Sequence, residues 1–310
     1  MIEVQGLSHY YGDRRAVENV SFSIADNEVI GFLGLNGAGK STTLKVLAGI
    51  LNPTKGDVRI DGVDVTSAPM SFRARIGYLP EEPPLYREMA VEEFLRFVGG
   101  INGMSTADLD ARIPIVMARA NLQGTERRVI AELSHGFKKR VGIAQAIIHK
   151  PRLVILDEPI SGLDPVQIVE MRQVVRDLRS ESTVLVSSHI LSEISQTCDR
   201  ILVLHQRRLV ARGTEAELRQ KTGTGTNIVA ELRGSLEKVK GFLTAHPTVV
   251  SHQIAKSEDG VHTVRAVLKE DRREELVKGL VQADIGVRRF EDALDELEEI
   301  FLGLTKEGAA

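Results

Sequence analysis

Two rhythms of apolar and polar positions run through most of this chain. Val29 to Leu33 is a short apolar run, and Thr42 to Leu51 carries apolar residues at helical spacing until Asn52-Pro53 stops it. Leu153 to Leu156 and Thr183 to Val186 are further short runs of the kind that parallel strands buried on both faces require. From residue 1 to about 220, strand-like and helix-like stretches alternate, which predicts an α/β sheet covered by helices. Residues 70 to 130 break that rhythm. Pro80-Glu-Glu-Pro83-Pro84 is a stiff loop, because proline fixes φ and removes a donor. Helical patterns around Val91–Val98 and Asp108–Leu122 then place a helical insert at about residues 86–150.

The pattern changes after residue 220. Residues 221–227 are small and polar and read as a linker. Beyond them come a strand at Ile228–Leu232, a helix at Leu236–Leu243 and a strand near Val249–Ile254. A strand at Val261–Leu268 follows the Glu258-Asp-Gly turn, then a helix at Glu274–Gln282 and a strand at Val287–Phe290. This order predicts a small α+β domain of βαββαβ, ferredoxin-like type over residues 228–310. Leu294, Leu297, Phe301 and Leu304 would share one face of a last acidic helix.

Composition narrows the field. The 310 residues are enough for two cores, and a formal net charge of -3 makes no global case for binding nucleic acid. The single cysteine, Cys198, rules out an internal disulfide framework and fits a reducing compartment. No basic start followed by an apolar run opens the chain, and no uncharged apolar stretch approaches the ~18 residues a membrane span needs. A membrane role is therefore expected to come through a partner.

The chemistry concentrates in two places. Gly34-Leu35-Asn36-Gly37-Ala38-Gly39-Lys40-Ser41 is a glycine, four free positions, then Gly-Lys-Ser, set between the Val29–Leu33 strand and the helix that begins near Thr42. Glycines let backbone N–H groups curl around an anion, and the helix start adds its positive dipole end. Lys40 suits the β- and γ-phosphates, and the Ser41 hydroxyl suits Mg²⁺. The chain is expected to bind a nucleoside triphosphate. Far downstream, the Leu153–Leu156 run ends in Asp157 and Glu158. A parallel strand delivers such residues at its C-terminal edge, where ligands bind in open α/β sheets. Neighbouring side chains on a strand point to opposite sides, so the two carboxylates divide the work. Asp157 suits a contact to Mg²⁺, and Glu158 suits polarising the attacking water.

With these motifs, residues 1 to about 220 resemble the ATPase subunit of an ATP-binding cassette (ABC) transporter, most of all the bacterial exporters of the drug, gliding-motility and polysaccharide type. The ending Leu297 to Thr305 is similar to the tails of such subunits. The resemblance implies that Tyr11, with Tyr10 beside it, stacks on adenine. It assigns Leu133 to Phe137 to the family signature, with Ser134 and Gly136 gripping a γ-phosphate. It assigns Ser161 to Asp164 to the turn linking two active sites across a dimer, and His189 to a γ-phosphate contact. Two positions depart from the family pattern. Glu81 stands where glutamine is usual, still offering oxygen to Mg²⁺ but with an added charge, and His135 and Phe137 replace the usual glycine and glutamine.

The implied protein uses ATP and Mg²⁺, forms a head-to-tail homodimer and works with a separate membrane permease, with no nucleic acid partner. It would lie in the cytoplasm, peripheral to the inner face of the cell membrane, and power export. The competing reading is a soluble, non-transport ABC ATPase acting on DNA or the ribosome. A long coiled-coil insert, a second cassette or a strongly basic surface would favour it, and the sequence carries none of them. A purely regulatory nucleotide-binding module is disfavoured by Glu158 and His189.

Overall fold

The computed structural model describes residues 1–221, 226–258 and 260–292. The chain divides into two compact units, Met1–Glu215 and Ala216–Ala310. In the first unit the strands are β1 (Ile2–Tyr11), β2 (Arg14–Ile24), β3 (Val29–Leu33), β4 (Lys55–Ile60), β5 (Val63–Asp64), β6 (Ile76–Leu79), β7 (Leu153–Asp157), β8 (Thr183–Ser188), β9 (Arg200–His205) and β10 (Arg208–Gly213). Its helices are α1 (Lys40–Leu47), α2 (Pro69–Arg73), α3 (Val91–Ile101), α4 (Thr106–Arg119), α5 (His135–Ile147), α6 (Pro165–Asp177) and α7 (Leu191–Ser195), and α8 (Glu215–Lys221) begins at its edge.

The strands form two sheets. One is antiparallel, in the order β2-β1-β4-β5. The other runs β10-β9-β3-β8-β7-β6, parallel except for β10 at its edge. The runs that read as doubly buried strands are buried at every position in β3, β7 and β8. One apolar core joins both sheets through α1, with Val4, Val20 and Phe22 on one side, Phe32, Ile155 and Leu185 on the other, and Leu44 and Leu47 between. Register matters most at β7 and β8, where Asp157 lies opposite Ser187 at the C-terminal edge. All the parallel strands deliver their ends to this edge, which is where chemistry is expected.

The helix expected over Thr42–Leu51 instead spans Lys40–Leu47. Its stop comes before Asn52-Pro53, at Gly49, whose φ of 67° only glycine adopts without strain. The Gly49 N–H donates to the Val46 carbonyl and the Ile50 N–H to the Lys45 carbonyl, a Schellman closure. In the helical insert, α4 starts earlier than the periodicity suggested because Ser105 caps it by accepting the Asp108 N–H.

The second unit has β11 (Thr226–Arg233), α9 (Leu236–Ala245), β12 (Val249–Glu258), β13 (Val261–Leu268), α10 (Arg273–Gln282) and β14 (Gly286–Asp292). Its sheet, β12-β13-β11-β14, is antiparallel throughout and has ferredoxin-like topology. Ile228, Ala230, Leu232, Val264, Ala266 and Leu268 face Val239, Leu243, Leu276 and Leu280 in a separate core. Of the expected linker, Lys221 ends α8 and Thr226 and Asn227 open β11. The rest of that linker, Asp259 of the expected turn, and the proposed last helix with Leu294, Leu297, Phe301 and Leu304 lie outside the described residues. Among the described residues, no helix is long and apolar enough to cross a membrane.

Candidate active site

The phosphate loop leaves β3 at Leu33 and enters α1 at Lys40. Gly37 and Gly39 take φ values of 81° and 103°. A Cβ at Gly39 would also lie 2.5 Å from the Ala16 carbonyl, so glycine is required there twice over. The first turn of α1 has no side-chain cap and no acidic residue, which leaves its N–H groups for an anion. Lys40 is 6% exposed and donates to the Gly34 carbonyl at 2.7 Å. Behind the loop, the Arg207 N–H donates to the Ala38 carbonyl and the Glu18 N–H donates to the Arg207 carbonyl, tying the loop to the β9–β10 turn and to β2.

An open cleft lies over this loop. Tyr11, Leu35, Asn36, Gly37, Gly39, Lys40, Ser41 and Thr42 line it, while Tyr10 is not among the lining residues. Gly34 and Ala38 serve from behind, as backbone. Sequence reasoning missed four further liners, Arg14, Arg15, Ala16 and Arg207. Arg14, Arg15 and Arg207 join Lys40 in lining the cleft with cations, Arg15 paired with Glu18, and such a lining suits a polyphosphate. Arg207 holds a φ of 74° after Gln206 at 45°. Left-handed positions cost a non-glycine residue about 1 kcal/mol and gather at functional sites.

The carboxylates meet the loop from β7. Asp157 is 5% exposed, and the Ser187 hydroxyl donates to its Oδ1 at 2.5 Å. Glu158, 8% exposed, turns left-handed with a φ of 49°. That turn, more than strand alternation, separates the two side chains. It brings the Glu158 carboxylate 3.7 Å from Lys40 Nζ, with both oxygens 3.1 Å from His189 Nδ1. The Glu158 N–H donates to Ser187 Oγ at 3.0 Å, so one buried hydroxyl bridges both acidic residues. Ser187 was missed by sequence reasoning, although two serines ending an apolar strand just before His189 were a signal.

Burial pushes the Asp157 carboxyl above its ordinary value. The Ser187 hydrogen bond and Lys40 oppose this shift, and the charges of Glu158 and Glu81 add to it. Glu81 itself is exposed, in the loop after β6, but its field reaches this pocket. A further charged group enters from α5. Lys139 is 1% exposed, its ammonium donates to the Glu158 carbonyl at 2.8 Å, and burial holds its pKa below the ordinary value.

The signature occupies the start of α5. Ser134 caps it by accepting the Phe137 N–H at 3.4 Å. A Cβ on Gly136 would meet the side-chain end of Gln167 of α6, so α5 and α6 lie close together at this point. His135 lies against the Ser161–Asp164 turn, since a Cβ on Gly162 would sit 3.4 Å from its Nε2. Asp164 caps α6 through the Gln167 N–H. Ser134 and Gly136 are not among the residues that line the phosphate-loop cleft of the same chain.

A family model described as ABC transporter matches residues 17–161. The chain is 34% identical to the uncharacterized ABC transporter ATP-binding protein YxlF of Bacillus subtilis (strain 168), over 97% of this chain and 98% of that protein. It is 30% identical to the bacitracin transport ATP-binding protein BcrA of Bacillus licheniformis, over 98% and 97% of the two chains. A solved structure of the ATP-binding subunit of an ABC transporter aligns with a TM-score of 0.66 and 34% identity, over 72% of this chain and 93% of that one. The likeness to the two bacterial relatives takes in the second unit as well as the motif-bearing one, and a chain with this loop, this carboxylate pair and that reach belongs to the ATP-binding proteins of ABC transporters and is an ATPase.

Proposed function

We propose that two copies associate head to tail, each phosphate loop facing the partner's signature, and that ATP-driven closure of this dimer moves a substrate through a separate membrane permease, in the direction of export. The observation that carries the reading is the one-sided cleft. Loop, cations and Tyr11 supply one wall, whereas Ser134 stands exposed at a helix start that does not line it. A second chain is the natural source of the missing wall. Glu158 aligns water on the γ-phosphate, His189 holds Glu158 and the phosphate in register, and Lys40 offsets charge on the phosphates.

Asp157, Ser41 and Glu81 are the groups that would hold Mg²⁺. Among the described residues no cluster of three or more His, Cys, Asp or Glu could hold a metal alone, which suits an ion that takes its remaining ligands from phosphates and water. The buried Asp157 carboxylate, disfavoured as an anion, gains from a cation there. Such an ion would neutralise developing charge on the phosphates.

The permease's cytoplasmic helix would seat beside Glu81 to Tyr86. Tyr86, Phe97 and Ile101 are exposed there, with the first two rings edge to face at 5.3 Å. Aromatic groups of this kind anchor helices in grooves. The kinship with a bacitracin transport protein supports the transport assignment, and the subunit would lie on the cytoplasmic face of the membrane. The second unit is assigned no chemistry and serves to stabilise or regulate the dimer.

Mixed dimers test the composite site. Ser134→Asp keeps a capping side chain but sets a negative charge where the partner's γ-phosphate would sit. Lys40→Ala removes the cation of the loop. Each variant alone should be nearly inactive, while mixing places both lesions in one composite site and leaves the other whole, returning at least about tenfold more hydrolysis than either alone. Verified mixed dimers that stay as slow as both parents contradict the arrangement.

A further inference from the structure

Lys138, Lys139 and Arg140 are three consecutive cations on α5, a pattern that ordinarily marks a solvated face. Two of them have ordinary fates. Lys138 is not buried and reaches the Ala131 carbonyl at 3.1 Å. Arg140 pairs with Glu170 and lies over the Phe137 ring. Lys139 is different: it ranks among the largest fully buried side chains of the chain. Burying an ammonium is costly unless its charge is answered, and the role assigned above to the carboxylates does not use it.

We propose that Lys139 is a positioning residue for hydrolysis: its ammonium pins the left-handed turn that aims the Glu158 carboxylate. The proposal rests on the reading of Glu158 as the residue that orients the attacking water.

Three contacts carry this role. Glu158 departs from β7 in a backbone conformation that a glutamate adopts only when its surroundings impose it. The two polar groups of its main chain are held from different elements. Ser187 of β8 accepts the N–H at 3.0 Å. The carbonyl accepts Lys139 Nζ from α5 at 2.8 Å and the Ser161 N–H at 3.3 Å. With both ends of the residue fixed, its side chain is directed at Lys40 and His189. A charged donor makes the shorter contact, and charge-assisted hydrogen bonds are the stronger kind.

Burial disfavours the Lys139 ammonium, and the carboxylates around it answer part of that cost.

Variants of the full chain test this, reading kcat and KM for ATP hydrolysis. Lys139→Met keeps an apolar stem but removes the donor to the Glu158 carbonyl. It should lower kcat by about tenfold or more with KM within about twofold. The proposal is overturned if Lys139→Met leaves kcat within about twofold or if its loss lies in KM. Should Lys139→Met fail to fold, Lys139→Gln, a neutral donor on a shorter stem, decides: a kcat lower by about tenfold or more at unchanged KM supports the role, and any other result ends it. Glu158→Gln run alongside separates the two readings. If it hydrolyses ATP at full rate, the role of Glu158 falls. If it is inactive while the Lys139 variant is unimpaired, only the role of Lys139 falls.

Discussion

The two units of the chain use burial in opposite ways. In Met1–Glu215 the interior holds charged side chains: Lys40, Arg112, Lys139, Arg140, Asp157 and Glu158 are all buried. Four of these, Lys40, Lys139, Asp157 and Glu158, belong to the pocket at the ends of β3, β7 and β8. In the second unit, the buried polar side chains among the described residues are Thr248 and His262, and both close local structure. His262 joins Ser257 Oγ and the Gly234 carbonyl at 2.8 and 2.9 Å, and Thr248 meets His246. Buried charge is expensive, so a fold that concentrates it at one sheet edge is accepting that cost for function. Among its described residues the second unit shows no such expenditure, and it reads as a packed accessory.

If that contrast is sound, neutralising the site should make the first unit more stable and less active. Burial holds the Asp157 carboxyl above its ordinary value, so the folded chain binds that proton more tightly than the unfolded chain does. Between the ordinary and the raised value, stability therefore falls as pH rises, and above the raised value the ionised side chain is a standing cost. Asp157→Asn should cut hydrolysis by at least about 100-fold and raise the Tm of the nucleotide-free protein by about 2 °C or more at neutral pH, with the gain shrinking as pH falls. A lower Tm at neutral pH would break the contrast.

A smaller effect should come from Arg207. Glycine suits its left-handed backbone better than arginine does. Arg207→Gly should keep or raise Tm while raising KM for ATP about threefold at unchanged kcat, because a cation leaves the cleft wall. An unchanged KM would reduce Arg207 to a turn residue. The smallest effect should come from removing the second unit. A chain ending at Lys221 should fold and hydrolyse ATP within about threefold of the full chain, since the first unit keeps its own core. An insoluble or inactive product that still binds nucleotide would place residues 222–310 inside the catalytic unit.

What could be read in advance follows from how locally each feature is encoded. The phosphate loop is eight consecutive residues in a strand-loop-helix setting, and Asp157-Glu158 ends an apolar run, so both were legible. In the second unit β13 was legible because it alternates cleanly after its turn. Ser187 as a bridge was not, because it depends on the β7–β8 register that sets it opposite Asp157. Lys139 was hidden within a basic triplet, a pattern that ordinarily marks a solvated face. Arg207 was hidden because the Gln206-Arg207 hairpin carries none of the usual Asn or Gly turn signals. The end of α1 was misplaced because the Asn52-Pro53 stop drew attention from Gly49, where the Schellman closure forms.

The central claim is that the left-handed turn at Glu158 sets its carboxylate between Lys40 and His189 as the group that drives ATP hydrolysis. Glu158→Gln tests it most directly, measured as single-turnover hydrolysis together with ATP binding and particle mass. The variant should bind ATP within about threefold of the original chain, hydrolyse it at least about 100-fold more slowly, and accumulate as an ATP-bound dimer. Hydrolysis at the original rate by a variant that binds ATP normally would contradict the account.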